Sequence, residues 1–245
     1  MTPPADLLNN RTALFLDFDG TLTDIAPRPD AVAVAHDLVP LLQRLHERLD
    51  GALALITGRA QSDIDPLLAP LTLPGAFEHG GVRRTRQGLV ALEDLPGLAP
   101  VAAAAQALAD RHPGLLVERK RTAVALHYRL APEMAERCVR TVREAVANTP
   151  GLQLLPGKAV IEVKLAQVNK GSAIAAFMAE APFGGRRPVF VGDDTTDEAG
   201  FDTVQRLGGA GIKVGTGDTQ ARYRLPDTNA VQQWLRAFAP APHHP

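Results

Sequence analysis

Several short runs of the chain are apolar at every position and then stop on something polar. "ALFL" runs into Asp17-Phe18-Asp19-Gly20, "ALALI" into Thr57-Gly58-Arg59, and "PVFV" into Gly192-Asp193-Asp194. After the first run, Ala35, Leu38, Val39, Leu42, Leu45 and Leu49 recur at three- and four-residue steps and end at Asp50-Gly51. That spacing predicts a helix with one buried face and a clear stop. Continuous apolar strands alternating with amphipathic helices predict a parallel sheet covered on both faces.

From about Gly81 the pattern changes. "GVRRTRQGLVALED" alternates around Gln87-Gly88 as a hairpin does. An alanine-rich helix follows, ending near His112-Pro113-Gly114. "LLVERKRTAVALHYRL" reads as two alternating strands joined near Arg121, "APEMAERCVRTVREAVAN" as a helix, and "GLQLLPGKAVIEVK" as another hairpin. Hairpins interleaved with two helices predict an antiparallel sheet with one face covered. From Asn169 the first pattern returns, with the helix "KGSAIAAFMAE", the strand "RPVFVG", the acidic loop "DDTTDE", the strand "AGIKV" and the helix "TNAVQQWLRAF". The predicted fold class is therefore α/β. A Rossmann-like parallel-sheet core, residues 1–81 and 167–245, is interrupted by an inserted α+β module, residues 82–166, an antiparallel sheet with two helices. The connections fall near Gly80-Gly81 and Leu165-Ala166.

A chain of 245 residues accommodates this two-part arrangement. Its 26 basic and 27 acidic residues nearly cancel, so no overall charge draws it to nucleic acid or to an anionic membrane. No apolar run approaches the ~18 residues of a membrane span, and "MTPPADLLNN" lacks the basic-then-apolar layout of a signal peptide. The single cysteine, Cys138, leaves no internal disulfide and fits a cytoplasmic setting. Its position in an amphipathic helix points to packing. No patch names a partner, and a monomer is the expectation.

The polar breaks carry the chemistry. Ligands of open parallel sheets bind outside the carboxyl ends of the strands. Asp17, Asp19, Thr57 and the pair Asp193-Asp194 come from separate stretches yet fall at that one edge. Convergent carboxylates there suit a hard cation held by oxygen, for which Mg²⁺ is the expected ion. Two unit charges 4 Å apart interact by about 4 kcal/mol at an effective dielectric near 20, so a phosphate ester could not approach Asp17 unaided. A cation, and Lys170 at the start of a helix, would reverse that repulsion. Thr57 offers a hydroxyl and neighbouring N–H groups to phosphate oxygens. Each residue also has a plainer reading: Asp19-Gly20 as a turn, Thr57 as a helix cap, Lys170 as a solvated lysine. Thr195 and Glu198 have the spacing of a capping box, and Asp197 either supports the metal from behind its ligands or favours a helix N-terminus.

As a set, "DFDGT", "ITGR", Lys170 and "GDDTTDE" resemble the haloacid dehalogenase superfamily. The resemblance implies that Asp17 is a nucleophile forming an aspartyl-phosphate and that Asp19 is the general acid, then base. It implies Mg²⁺ on Asp17, the Asp19 carbonyl and Asp193, and phosphoryl oxygens held by Thr57 and Lys170. "DFDGTLTDIAPRPDAV", "VERKRTAVALHYR", "GKAVIEVK", "NKGSAI", "VFVGDDTTDEAGF" and "IKVGTGDTQARYRLPDTNAVQQWL" are similar to the trehalose-6-phosphate phosphatases, from about Leu14 to Phe238. That similarity implies a cap on the core and a sugar phosphate, trehalose 6-phosphate, as substrate. Threonine in "ITGR", where serine is frequent, is a conservative departure.

In a strand, residues two apart share a face, so Glu118 with Lys120, His127 with Arg129, and Glu162 with Lys164 point together. A sugar suits such mixed donors and acceptors, although a solvated face would look the same. By the resemblance Glu118, Lys120, His127 and Glu162 are the substrate contacts, with Arg59, Lys158, Asn169 and Asp194 as weaker site candidates. The alternatives are a phosphatase of another sugar phosphate, of sucrose or mannosyl-glycerate type, a phosphomutase of similar build, or an inactive sugar-phosphate-binding module. The last would lack one of Asp17, Asp19, Lys170 or Asp193, and all four are present.

Overall fold

The computed structural model describes residues 1–25, 32–91, 97–119, 122–147, 149–157 and 159–241. The elements run β1 (Thr12–Leu16), α1 (Leu38–Arg48), β2 (Leu53–Ile56), α2 (Gln61–Leu68), β3 (Gly75–Phe77), β4 (Val82–Thr85) and β5 (Gly88–Ala91). Next come α3 (Leu98–Ala109), β6 (Leu116–Arg119), β7 (Ala123–His127), α4 (Ala135–Ala147), β8 (Leu152–Gly157) and β9 (Val160–Leu165). The chain finishes with α5 (Lys170–Met178), β10 (Arg187–Gly192), α6 (Glu198–Arg206), β11 (Ala210–Val214), β12 (Tyr223–Leu225) and α7 (Thr228–Phe238). It divides into two compact units, Met1–Val90 with Asn169–Pro245, and Ala91–Val168.

The first unit holds an eight-stranded sheet in the order β12-β11-β10-β1-β2-β3-β4-β5. From β12 to β3 every neighbouring pair is parallel. Every residue of β1, β2 and β11 is buried, which is why these strands, Thr12 and Lys213 apart, are apolar on both faces. Strand order reverses at β1: the chain steps outward through β2 and β3 on one side and through β10, β11 and β12 on the other. Because such crossovers are right-handed, α1 and α6 fall on opposite faces of the sheet. The reversal leaves a crevice at the carboxyl ends of β10, β1 and β2, the usual place for a ligand in this architecture.

The alternation of residues 82–91 groups this hairpin with the inserted module. In the structure β4 pairs antiparallel with β3, Phe77 opposite Val82, so the hairpin extends the large sheet. A turn of only four residues, 78–81, keeps β4 beside the strand it has just left.

The second unit is a four-stranded antiparallel sheet, β6-β7-β9-β8, with α3 and α4 against one face. Val124, Leu126, Ile161 and Val163 share that face and pack with Val101, Ala105, Leu108, Cys138 and Val142. Each large aliphatic side chain fully buried there contributes about 1.5–3 kcal/mol. Cys138 is a fully buried free thiol in this cluster, the packing role its helix position predicts.

Candidate active site

Asp17 follows β1 directly, and its N–H donates to the Val191 carbonyl of β10 at 2.9 Å. This backbone bond fixes the carboxylate at the strand-order reversal. Lys170 opens α5, whose start is fixed by Asn169 and Ser172: each side chain accepts from the other's backbone N–H. From there the Lys170 ammonium reaches Asp17 Oδ1 at 2.8 Å and Asp197 Oδ1 at 2.7 Å. All three side chains are buried. The second oxygen of Asp197 accepts the Asp194 N–H at 2.9 Å, and Asp194 accepts the Thr195 N–H at 2.6 Å. The capping box in this loop is thus Asp194 with Asp197, not Thr195 with Glu198 as the spacing predicts. Glu198 instead accepts the Gln220 N–H at 3.0 Å. Only Gly192 fits beside Asp197, since a Cβ there would stand 2.3 Å from the Asp197 carboxyl carbon.

Asp193, Asp17 and Asp197 each offer an oxygen within 4.8 Å of the others. Burial pushes the Asp17 carboxyl well above its ordinary range, against the pull of Lys170. Burial, then the Asp197 charge, pushes Asp193 up to about 6. Lys170 lies between two carboxylates and is held above the ordinary lysine value despite its burial. One ammonium among three acids leaves negative charge to be balanced. An all-oxygen donor set under that strain fits a hard divalent cation.

Asp19 faces a different partner. Arg59 grips it with two bonds, Nε to Oδ2 at 2.6 Å and Nη2 to Oδ1 at 2.8 Å, and this contact raises the guanidinium pKa. Thr57 follows β2, buried, with its hydroxyl accepting the Arg59 N–H at 3.1 Å. Asp17, Asp19, Thr57, Lys170, Asp193 and Asp194 line one cavity of about 380 Å³. Asn169 is committed to its helix cap and lines a separate groove beside α5 and α6.

Two further residues at this edge are not among those the sequence pattern singles out. Lys213, buried in β11, donates to the carbonyls of Asp193 and Val214 and so fixes the loop after β10. His79 lines the same cavity as Asp17. A histidine before two glycines after a short strand, "EHGG", is the trace it leaves in the sequence.

In the second unit, strand register sets Glu118 opposite Ala125, and Ala125 opposite Glu162. With His127 two residues beyond Ala125, these side chains share one face, opposite the helices. His127 Nε2 lies 3.0 Å from Glu118 Oε2. Lys164, on the same face, is buried and donates to the Val168 carbonyl at 2.7 Å. Lys120 and Lys158 lie outside the described residues.

Residues 15–229 match the trehalose-phosphatase family. The chain is 42% identical over 236 residues to trehalose-6-phosphate phosphatase of Escherichia coli (strain K12), covering 96% of this chain and 89% of that one. Its structure resembles the C-terminal domain of the C. albicans trehalose-6-phosphate phosphatase, with a TM-score of 0.79, 25% identity, and 97% of each chain covered. A haloacid dehalogenase-like hydrolase from B. subtilis shares the fold at a TM-score of 0.67 and 11% identity, over 94% of this chain and all of the other.

Proposed function

The chain belongs to the trehalose-phosphatase family, and we propose that it hydrolyses trehalose 6-phosphate to trehalose and phosphate by way of an aspartyl-phosphate on Asp17. One observation supports this above the others: Asp17, Asp19, Thr57, Lys170 and Asp193, drawn from four separate stretches, line a single cavity at the strand-order reversal. An Oδ atom of Asp17 attacks phosphorus and the bond to the sugar oxygen breaks. Asp19 gives that oxygen its proton, then takes one from the water that cleaves the aspartyl-phosphate. Arg59 holds both Asp19 oxygens in this structure and would have to release one of them for Asp19 to carry and hand over that proton. Thr57 and Lys170 hold the phosphoryl oxygens, and Lys170 also keeps Asp17 oriented.

Asp17, Asp193 and the Asp19 carbonyl would hold Mg²⁺, with Asp197 behind them on Lys170. When bound, the ion offsets the charge between Asp17 and the phosphate and withdraws electrons from phosphorus. In the second unit Glu118, His127 and Glu162 are the proposed contacts for sugar hydroxyls, together with Lys120, which lies outside the described residues. The module carrying them acts in this proposal as the specificity cap.

The test is phosphate release by the purified protein with Mg²⁺, and with EDTA as control. Substrates are trehalose 6-phosphate, sucrose 6-phosphate, glucose 6-phosphate and mannose 6-phosphate. Strong preference for the first, lost in EDTA, is the expected result. Even rates across the panel would overturn the sugar assignment while keeping the core chemistry, and no release from any would overturn both.

A further inference from the structure

Glu78, His79 and Gly80, the turn after β3, all take positive φ, at 50°, 58° and 109°. Left-handed backbone is costly for residues with a Cβ, and glycine or asparagine would hold it more easily. Strain retained beside a cavity calls for a functional reason. The turn is tied to the loop after β2: the Glu78 N–H donates to the Arg59 carbonyl at 2.9 Å and the His79 N–H to the Thr57 carbonyl at 3.0 Å. His79 is among the residues that line the cavity of Asp17, Thr57 and Lys170. Its Cε1–Nε2 edge is packed on Gly58, where a Cβ would stand 2.6 Å from both atoms. Gly58 thus leaves room for an imidazole that the turn itself does not require.

We propose that His79 touches the phosphoryl end of the substrate, its ring donating a hydrogen bond to a phosphoryl oxygen beside Thr57 and Lys170. The inference rests on the phosphatase reading above. The phosphoryl end is favoured over the sugar because His79 is bonded through its backbone to Thr57, the residue proposed to hold phosphoryl oxygens. An imidazole N–H has the donor character an oxyanion needs. Its contribution then depends on the phosphoryl group and not on the alcohol that leaves.

His79→Asn and His79→Gly keep or ease the left-handed turn while removing the imidazole. Thermal melting, kcat and KM would be measured with Mg²⁺ on trehalose 6-phosphate and on p-nitrophenyl phosphate, with inhibition by inorganic phosphate. Both variants should melt at or above the wild-type temperature. They should lose about 10- to 100-fold in kcat/KM, by the same factor on the two substrates, as expected for one bond to a charged group. Inhibition by phosphate should weaken with it. Loss confined to trehalose 6-phosphate would move His79 to the sugar and overturn the assignment. So would unchanged kinetics, or activity lost only in proportion to a lowered melting temperature. If the wild type hydrolysed neither ester, the phosphatase reading itself would fail. Calorimetric binding of inorganic phosphate would then decide for His79: weakened in His79→Asn, the contact stands; unchanged, it falls.

Discussion

The two units place their charged side chains under opposite conditions. In the first, Lys170 is 3% exposed and Asp197 not at all, and each is held by a partner within 2.8 Å. In the second, the His127 and Glu118 side chains are 35% and 49% exposed and meet across 3.0 Å on an open strand face. A buried charge is tolerable only with its partner in place, so the proposed chemistry of the core is bound up with its stability. An exposed pair contributes little to folding, which leaves the second unit's face free to be shaped by what it binds. On the proposed reading, the reaction and the choice of substrate fall to regions under different physical constraint.

The comparison is broken most sharply at Lys170. Lys170→Met leaves Asp17 and Asp197 without their ammonium and should cost about 3–5 kcal/mol of stability, besides abolishing turnover. Urea denaturation measures the loss, and a variant as stable as the wild type would mean that the buried acids do not depend on that lysine. A smaller and selective effect is expected from the second unit. His127→Ala should lower kcat/KM for trehalose 6-phosphate by about 10- to 100-fold, leave p-nitrophenyl phosphate within about twofold, and scarcely move the melting temperature. Equal losses on the two substrates would remove the distinction between the units.

The smallest effect concerns the cation. Asp193 has a folded pKa pushed up to about 6, above its ordinary value of 3.8. A raised carboxyl favours the folded state while protonated. Its cost therefore grows as pH climbs from about 4 and is complete above about 6. On the proposed reading Mg²⁺ would balance that ionised carboxylate, so it should raise the melting temperature more at about pH 7.5 than at about pH 5. Each kcal/mol is worth about 2–4 °C in a chain of this size. Melts with Mg²⁺ and with EDTA at both pH values check this, and a shift independent of pH would contradict it.

Much of this was legible in the sequence, and the exceptions share a cause. The apolar runs ending at Asp17, Thr57 and Asp193 marked the parallel strands because burial on both faces leaves no room for alternation. The faces shared by Glu118, His127 and Glu162 followed from the two-residue period of a strand. Hidden were the features that depend on where distant segments meet. Nothing near Asp197 in the chain announces Lys170, 27 residues away, as its partner. The capping box fell one residue early because Asp194 and Asp197 compete for it with Thr195 and Glu198. α1 begins at Leu38, after the first apolar position that fits its period, Ala35. The hairpin of residues 82–91 joined the large sheet because pairing with β3 was closer at hand than pairing with the insert. His79 left only the trace "EHGG", because positive φ is a property of the folded turn.

The central claim, that Asp17 receives the phosphoryl group, has a direct test. The protein would be mixed with trehalose 6-phosphate and Mg²⁺, quenched in acid during turnover, digested and analysed by mass spectrometry. One phosphoryl group on the peptide containing Asp17, absent from the folded but inactive Asp17→Asn variant, is the predicted result. Turnover by the Asp17→Asn variant at a substantial fraction of the wild-type rate, or a phosphoryl group found on another residue, would contradict it.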